Sequence, residues 1–379
     1  MYPLLMAPYF RHGSETPWGG SMLRDVFLKD APDDQTGESL EVSALEGRES
    51  LVLNGPQAGR TLGSMIRLWG KDLTGEIEGA FPLLIKLLDA RELLSVQVHP
   101  DDAYAAANEG GKLGKTEAWV VLNCEPGAKL AYGVTAGKEE LAELARAGRV
   151  EEALNWLTVR PGDVLYIPAG TVHALGGGIQ CYEVQQSSDV TYRLWDWGRV
   201  DKNGNPRQLH TEKALDVIHA GKILPKCEGA TVLRKGGSIT YFISDGNFEL
   251  SRLNVSGKMP LEKGRMRIIT PMAPCKITWE AGEMEVAPFA TVLVPAGMEV
   301  QVEGRMNALM SSTSDQEALR AELGYRAERV AGLTEYAPFP KRSDRFERRP
   351  GSPVPQWENR KIKKPATGQE CARHSYTHR

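Results

Sequence analysis

Cysteine is scarce in this 379-residue chain, and its five copies lie far apart. They are Cys124, Cys181, Cys227, Cys275 and Cys371, and none of them belongs to a C-x-x-C pair. Such spacing argues against a disulfide framework and against a zinc site built from thiolates. We therefore expect reduced thiols and a cytoplasmic protein.

The chain also lacks a long apolar run and an excess of positive charge. Residues 1–10 are apolar for only a few positions, have no leading basic residue and contain Pro3 and Pro8, which fits neither a signal peptide nor a membrane-spanning helix. Lys and Arg number 46 against 49 Asp and Glu, for a net charge of −3. We therefore expect no membrane and no nucleic acid among its partners.

The length predicts more than one domain, because single hydrophobic cores stop growing near about 250 residues. Short aliphatic and β-branched runs separated by turn residues predict a mainly β fold. Apolar side chains at helical spacing predict helices at 138–147, 150–157 and 316–326. The predicted organisation is a first domain at 1–225 with a helical insertion at about 136–158, a second strand-rich domain with a terminal helix at 226–330, and a tail at 331–379.

The tail differs from the rest of the chain in composition. From residue 335 onward it holds 11 Lys and Arg but only 5 Asp and Glu, with almost no aliphatic side chains. It cannot bury enough apolar surface to offset the entropy lost on ordering, so we expect a basic, disordered segment. Cys371, His374 and His378 form a three-ligand pattern there, which in a disordered segment does not by itself predict a metal site.

Three segments of the first domain carry side chains that can bind a metal ion. Along a strand alternate residues face the same way, so Ser95, Gln97 and His99 share one face of the first segment. The same two-residue spacing brings Lys115 and Glu117 to one face of the second. The third, residues 160–174, is a strand closed by a Pro-Gly turn that presents one histidine.

If these strands are neighbours in a barrel, four side chains supply two nitrogen and two oxygen ligands around one point. They are Gln97, His99, Glu117 and His173. This donor set suits one Zn²⁺ per chain, with a coordination position left for water or substrate. Mn, Co and Fe(II) remain compatible with the same ligand types.

The pattern Gly162-x5-Pro168-x-Gly170-x2-His173 resembles the second metal motif of the cupin superfamily, although Gly177 stands where that motif usually has Asn. The first cupin motif is more altered, since its H-x-H is Gln97-x-His99 here and its glutamate lies far downstream. With these departures, the chain resembles one family, the type I mannose-6-phosphate isomerases in their short bacterial form. The most specific strings are FPLLIKLLDARELLSVQVHPDD, GKTEAW, PGDVLYIPAGTVHALG and YEVQQSSDVTYRLWDWGR.

The resemblance covers most of residues 1–312 and implies tandem cupin-like barrels. It implies an enzyme that interconverts mannose 6-phosphate and fructose 6-phosphate, with Gln97, His99, Glu117 and His173 as zinc ligands and Arg193 as the active-site arginine. The second barrel resembles a degenerate repeat, because Val300 stands where the histidine of the motif would be. No metal is expected in that barrel.

Further roles follow from the chemistry that such an isomerase needs. Asp189 is the candidate base, since it lies in the same string as Arg193. A sugar phosphate needs cations and hydroxyl donors, for which Lys115, Lys86 and Ser95 are candidates. We expect a monomer or homodimer.

Two other functions remain open at this stage. One is a sugar-phosphate-binding cupin without turnover. The other is an iron-dependent cupin oxygenase, in which His99, His173 and Glu117 would form a facial triad while Gln97 stayed off the metal.

Overall fold

The computed structural model of the chain describes residues 1–77, 79–200, 203–221 and 223–333. The predicted tail lies outside the described residues from residue 334 onward, and so do Cys371, His374 and His378.

Strands dominate the described residues, as expected from the short aliphatic runs. In chain order they are β1 (Leu4–Ala7), β2 (Tyr9–His12), β3 (Thr36–Val42), β4 (Leu51–Val52), β5 (Leu83–Ala90), β6 (Val96–Val98), β7 (Glu117–Cys124), β8 (Lys129–Val134), β9 (Leu154–Thr158), β10 (Val164–Ile167), β11 (His173–Ala174), β12 (Ile179–Gln186), β13 (Tyr192–Trp195), β14 (Ala230–Arg234), β15 (Gly237–Ser244), β16 (Glu249–Leu261), β17 (Arg267–Pro271), β18 (Cys275–Trp279), β19 (Gly282–Val286), β20 (Thr291–Val294) and β21 (Val300–Ser312). The prediction of a mainly β fold is confirmed.

Helices are short and lie between the strands. They are α1 (Met22–Asp25), α2 (Leu62–Trp69), α3 (Lys71–Thr74), α4 (Asp102–Asn108), α5 (Lys138–Arg146), α6 (Thr211–Val217) and α7 (Gln316–Leu323). The patterns that predicted α5 and α7 did not reveal α2, α4 or α6. Among the described residues no helix is long and apolar enough to cross a membrane.

The first half of the chain forms two antiparallel sheets. One has the strand order β10-β7-β12-β5-β3-β2, and the other has the order β13-β6-β11-β8-β9. An apolar cluster joins them, with Leu88 and Trp119 from the first sheet and Leu130 and Tyr132 from the second. Burial of these large side chains is the main force that holds two sheets face to face.

The predicted helical insertion is half correct. Helix α5 forms where Leu141 and Leu144 bury one side of the segment 138–147. The second predicted helix, 150–157, is wrong beyond Ala153, because a 3₁₀ turn at Val150–Ala153 leads directly into strand β9. Strand β9 forms the edge of its sheet by pairing with β8, and this pairing decides the conformation over weak local helical propensity.

The second half builds a ten-stranded antiparallel sheet around the long strands β16 and β21. Its core includes Val300, which occupies the position of the motif histidine and is buried among aliphatic side chains. Strand β1 also joins this sheet by pairing with β20. The first residues of the chain therefore contribute to the second sheet, while the boundary near residue 225 stays a prediction.

A buried acceptor cluster and its cationic cavity

Strand register brings the predicted ligands of the second sheet side by side. Gln97 on β6 pairs directly with His173 on β11 and with Arg193 on β13, and residues opposite each other in antiparallel strands face the same side. The turn before β11 needs glycine at 170, where φ is +83° and a Cβ would lie 2.6 Å from the ring of His219. The Gly170 N–H also donates to the carbonyl of His99, which ties the two histidine segments together.

The carboxylate of Glu117, from the first sheet, lies between the two imidazoles. Its Oε1 is 3.1 Å from Nε2 of His173, and its Oε2 is 3.5 Å from Nε2 of His99. His99 donates Nδ1–H to the carbonyl of Val190 at 3.0 Å, and His173 donates Nδ1–H to the carbonyl of Thr171 at 2.9 Å. A neutral imidazole that donates through Nδ1 has a free lone pair on Nε2, so both rings present acceptors to the carboxylate.

Acceptor atoms that face one another in a buried place are unfavourable unless a cation lies between them. His99, Glu117 and His173 are essentially inaccessible to solvent, and their ligand atoms lie within 4.8 Å of one another. Within the described part of the chain neither oxygen of Glu117 has a hydrogen bond of good geometry. The Nζ atom of Lys115 lies 3.0 Å from Glu117 Oε2 and 3.1 Å from His99 Nε2. One positively charged group is therefore already in contact with these acceptors. The cluster fits a divalent metal ion.

Gln97, the fourth predicted ligand, lies next to His173 of this cluster. Its amide nitrogen is 3.2 Å from Nε2 of His173, and turning the amide by 180° presents the oxygen at the same place. His99, Glu117 and His173 therefore converge on one point, and Gln97 lies beside them through its contact with His173.

The protonation states of Glu117 and His99 are those that metal ligation requires. Burial by itself would raise the pKa of Glu117, but the Lys115 ammonium holds that pKa well below its usual range. Burial, together with Lys115, lowers the pKa of His99 well below its usual range. At neutral pH the carboxylate is ionised and the imidazole of His99 is neutral.

A cavity of about 290 Å³ opens beside this cluster. Every residue that the sequence analysis assigned to substrate or catalysis lines it, namely Lys86, Ser95, Lys115, Asp189 and Arg193. The lining also includes three further arginines, Arg11, Arg48 and Arg207. A polar cavity with this excess of cationic side chains suits a negatively charged ligand.

Asp189 and Arg193 occupy different surroundings in that cavity. The side chain of Asp189 is 47% exposed and bonds to Nζ of Lys112 at 2.8 Å. Burial works to raise the pKa of Asp189, but Lys112 outweighs it and leaves the pKa below its ordinary value. Arg193 donates to the carbonyl of Gln208 at 2.9 Å, and no carboxylate of the described residues lies within 4.0 Å of its guanidinium.

Residues 11–120 match the family model for the phosphomannose isomerase type I catalytic domain. Mannose-6-phosphate isomerase ManA of Bacillus subtilis is 38% identical over 317 residues, which span 82% of this chain and 98% of that protein. The chain belongs to the type I phosphomannose isomerase family. The mannose-6-phosphate isomerase of Streptococcus mutans is 40% identical over 247 residues, 65% of this chain and 78% of the relative.

A solved structure from the family shares the fold. The crystal structure of mannose 6-phosphate isomerase from Bacillus subtilis superposes with a TM-score of 0.76 at 35% identity, over 82% of this chain and 99% of that one. The resemblance noted in the sequence motifs is thereby confirmed, and so is the predicted fold class.

Two buried acids of the cavity in this phosphomannose isomerase family member, Glu183 and Glu38, are not among the residues predicted from the sequence. Glu183 lies on β12, where Oε1 is 2.9 Å from Nζ of Lys86 and Oε2 accepts a hydrogen bond from Trp119 at 2.8 Å. Lys86 is also 3.5 Å from Glu38, and despite its burial the two carboxylates raise the pKa of Lys86. A lone acid within the otherwise uncharged, buried strand 179–186 was the signal that could have identified Glu183.

Proposed function

We propose that this protein is a metal-dependent enzyme that interconverts mannose 6-phosphate and fructose 6-phosphate. The observation that carries the proposal is the buried set of facing acceptors, His99, Glu117 and His173. Two residues in contact with this set, Gln97 and Lys115, line a cavity rich in cations. Membership in the type I phosphomannose isomerase family supports the same reaction.

Gln97, His99, Glu117 and His173 would hold one Zn²⁺. Held by three uncharged ligands and one carboxylate, the ion would keep a net positive charge and would supply Lewis acidity toward the oxygens of the sugar. The buried hydrogen bonds from the two Nδ1 atoms to backbone carbonyls fix the rings for this role.

The remaining chemistry belongs to the side chains of the cavity. Isomerisation moves a proton between C1 and C2 of the sugar, and we assign its transfer to the carboxylate of Asp189, which is ionised at neutral pH. Arg193 orients the oxygens of the substrate through its planar fork of donors. Lys115, Lys86 and Ser95, which also line the cavity, bind sugar hydroxyls or phosphate.

The test is a coupled assay of mannose 6-phosphate isomerisation on protein stripped of metal and then reloaded with Zn²⁺. We expect no turnover without metal and recovery at one equivalent of Zn²⁺. Metal-loaded protein that binds mannose 6-phosphate saturably but does not convert it would instead indicate the binding protein without turnover. Oxygen consumption with Fe(II) would indicate the oxygenase.

We also propose a cytoplasmic location and a monomeric or homodimeric state. The location rests on composition and on the four described cysteines, Cys124, Cys181, Cys227 and Cys275, all of which are free thiols. Fractionation of the source cells and light scattering of the purified protein test the two statements.

A further inference from the structure

Arg207 lies beside Arg193 because the chain doubles back after β13. An antiparallel bridge joins Val200 to Pro206, and the N–H of His210 donates to the carbonyl of Arg193. The backbone N–H of Arg193 in turn donates to Nδ1 of His210 at 3.2 Å. The segment 206–210 therefore runs along β13, and both arginines line the cavity.

One carboxylate is shared by two arginines at this wall. Arg207 bonds to Asp196 through Nε at 2.7 Å and through Nη2 at 2.5 Å, and Arg199 bonds to the same carboxylate at 2.5 Å. Asp196 is buried, so it holds Arg207 in a fixed orientation. Arg199, Arg207 and Asp196 together carry a net charge of +1.

Arg199 and Arg207 differ in where they point. Arg199 donates its other nitrogen to the carbonyl of Leu93 at 2.6 Å and does not line the cavity, whereas Arg207 does. Arg199 therefore provides a natural comparison, since it shares the ion pair but not the cavity.

Positive charge at this wall exceeds negative charge by two. Arg193 adds a second positive charge, because no carboxylate of the described residues lies within 4.0 Å of it. Burial and the nearby Arg207 both lower the pKa of Arg193, which is the signature of a cation held close to other cations. The doubly charged phosphate group of a sugar phosphate matches this excess.

The other cations of the cavity each face an acid. Lys86 faces Glu183 at 2.9 Å, and Lys115 faces Glu117 at 3.0 Å. Two other arginines of the cavity lining are likewise opposed, Arg11 by Glu38 at 2.8 Å and Arg48 by Glu15 at 3.7 Å.

We propose that Arg207 and Arg193 together bind the phosphate group of the substrate, with Asp196 as the residue that positions Arg207. The inference rests on the proposed function for the identity of the substrate, but the anion site itself is defined by the arginines. Charge-assisted hydrogen bonds to phosphate are worth enough that losing one weakens binding about ten- to hundredfold.

The experiment measures binding of inorganic phosphate to the full, zinc-loaded chain by calorimetry, together with KM and kcat for mannose 6-phosphate. Arg207→Gln is expected to weaken phosphate binding by about ten- to hundredfold and to raise KM by a larger factor than it lowers kcat. Arg199→Gln removes one positive charge from the ion pair with Asp196 but no side chain of the cavity lining, so it is expected to weaken phosphate binding by a smaller factor than Arg207→Gln. Thermal melting shows that each variant is folded, and Arg207→Lys, which keeps the charge, replaces Arg207→Gln if that variant does not fold.

Unchanged phosphate binding in folded Arg207→Gln would overturn the proposal, and so would an equal loss in Arg199→Gln. A loss confined to Arg48→Gln would place phosphate beside Arg48 instead and would also overturn it. If phosphate binding follows the expectation while mannose 6-phosphate is not isomerised, the anion site stands and the proposed function fails.

Discussion

Nε2 of His173 lies 3.1 Å from Oε1 of Glu117, with the ring already donating through its other nitrogen. Two buried acceptors at this distance repel each other unless a cation joins them. That relationship links the fold to the proposed metal chemistry, because one atom comes from each of the two sheets of the first half.

Glu117→Gln is expected to abolish tight metal binding, because it removes the only negative charge of the cluster. Metal content after dialysis should fall from one equivalent to near zero, and turnover should fall with it. The control is Glu125→Gln, an exposed acid just beyond the same strand, which should keep both metal and activity. Full metal content in Glu117→Gln would show that the ion is held elsewhere.

Asp189→Asn is expected to lower kcat by about 100- to 10,000-fold while changing KM little, as for loss of a general base. Lys112→Gln, which removes only the ion-pair partner of Asp189, should have a much smaller effect on kcat. Glu183→Gln tests the alternative that Glu183 is the residue that transfers the proton. If Glu183→Gln stops turnover and Asp189→Asn does not, the buried acid and not Asp189 transfers the proton.

Lys86→Met is expected to destabilise the fold by about 3–5 kcal/mol, because Glu183 and Glu38 would then be buried without their shared cation. Urea unfolding of the protein measures this change. Lys71→Met is the matched control, since it removes a lysine from an exposed ion pair with Glu76 and should cost about 0–1 kcal/mol. Equal effects of the two substitutions would mean that the Lys86 cluster does not depend on charge pairing.

Asp196 should contribute stability that depends on pH. Burial works to raise its pKa, but Arg207 and Arg199 lower it below the ordinary value. A carboxyl whose pKa is lowered on folding stabilises the protein above its unfolded pKa of about 3.9, and this contribution declines as pH falls towards the lowered value. The free energy of unfolding of Asp196→Asn should therefore fall less steeply than that of the unmodified protein between about pH 5 and pH 3. Parallel curves would contradict the ion-pair account.

The clustering of His99 and His173 with Gln97 could be anticipated in part from the sequence, because the face on which each side chain lies is a local property. Gln97 and His99 share a face because alternate residues of a strand point the same way. Pro168 and Gly170 predict the turn that precedes His173. Predicting that these side chains lie together required the resemblance to a family. No local pattern indicates that β7 of one sheet faces β6 and β11 of the other.

The rest of the site depends on pairing between distant parts of the chain. Glu183 meets Lys86 only through the register of β12 with β5, and Arg207 meets Arg193 only through the turn that reverses the chain after β13. Strand β9 was predicted as a helix for a similar reason, because its pairing with β8 is not visible in its own residues. Tertiary pairing decided these positions over local propensity.

The most direct test of the central claim is an anomalous difference map, recorded at the zinc absorption edge, from crystals of catalytically active protein. The account predicts a single strong peak per chain, bonded to Gln97, His99, Glu117 and His173. A peak at any other group of side chains, or no peak in crystals of protein that still isomerises mannose 6-phosphate, would contradict it.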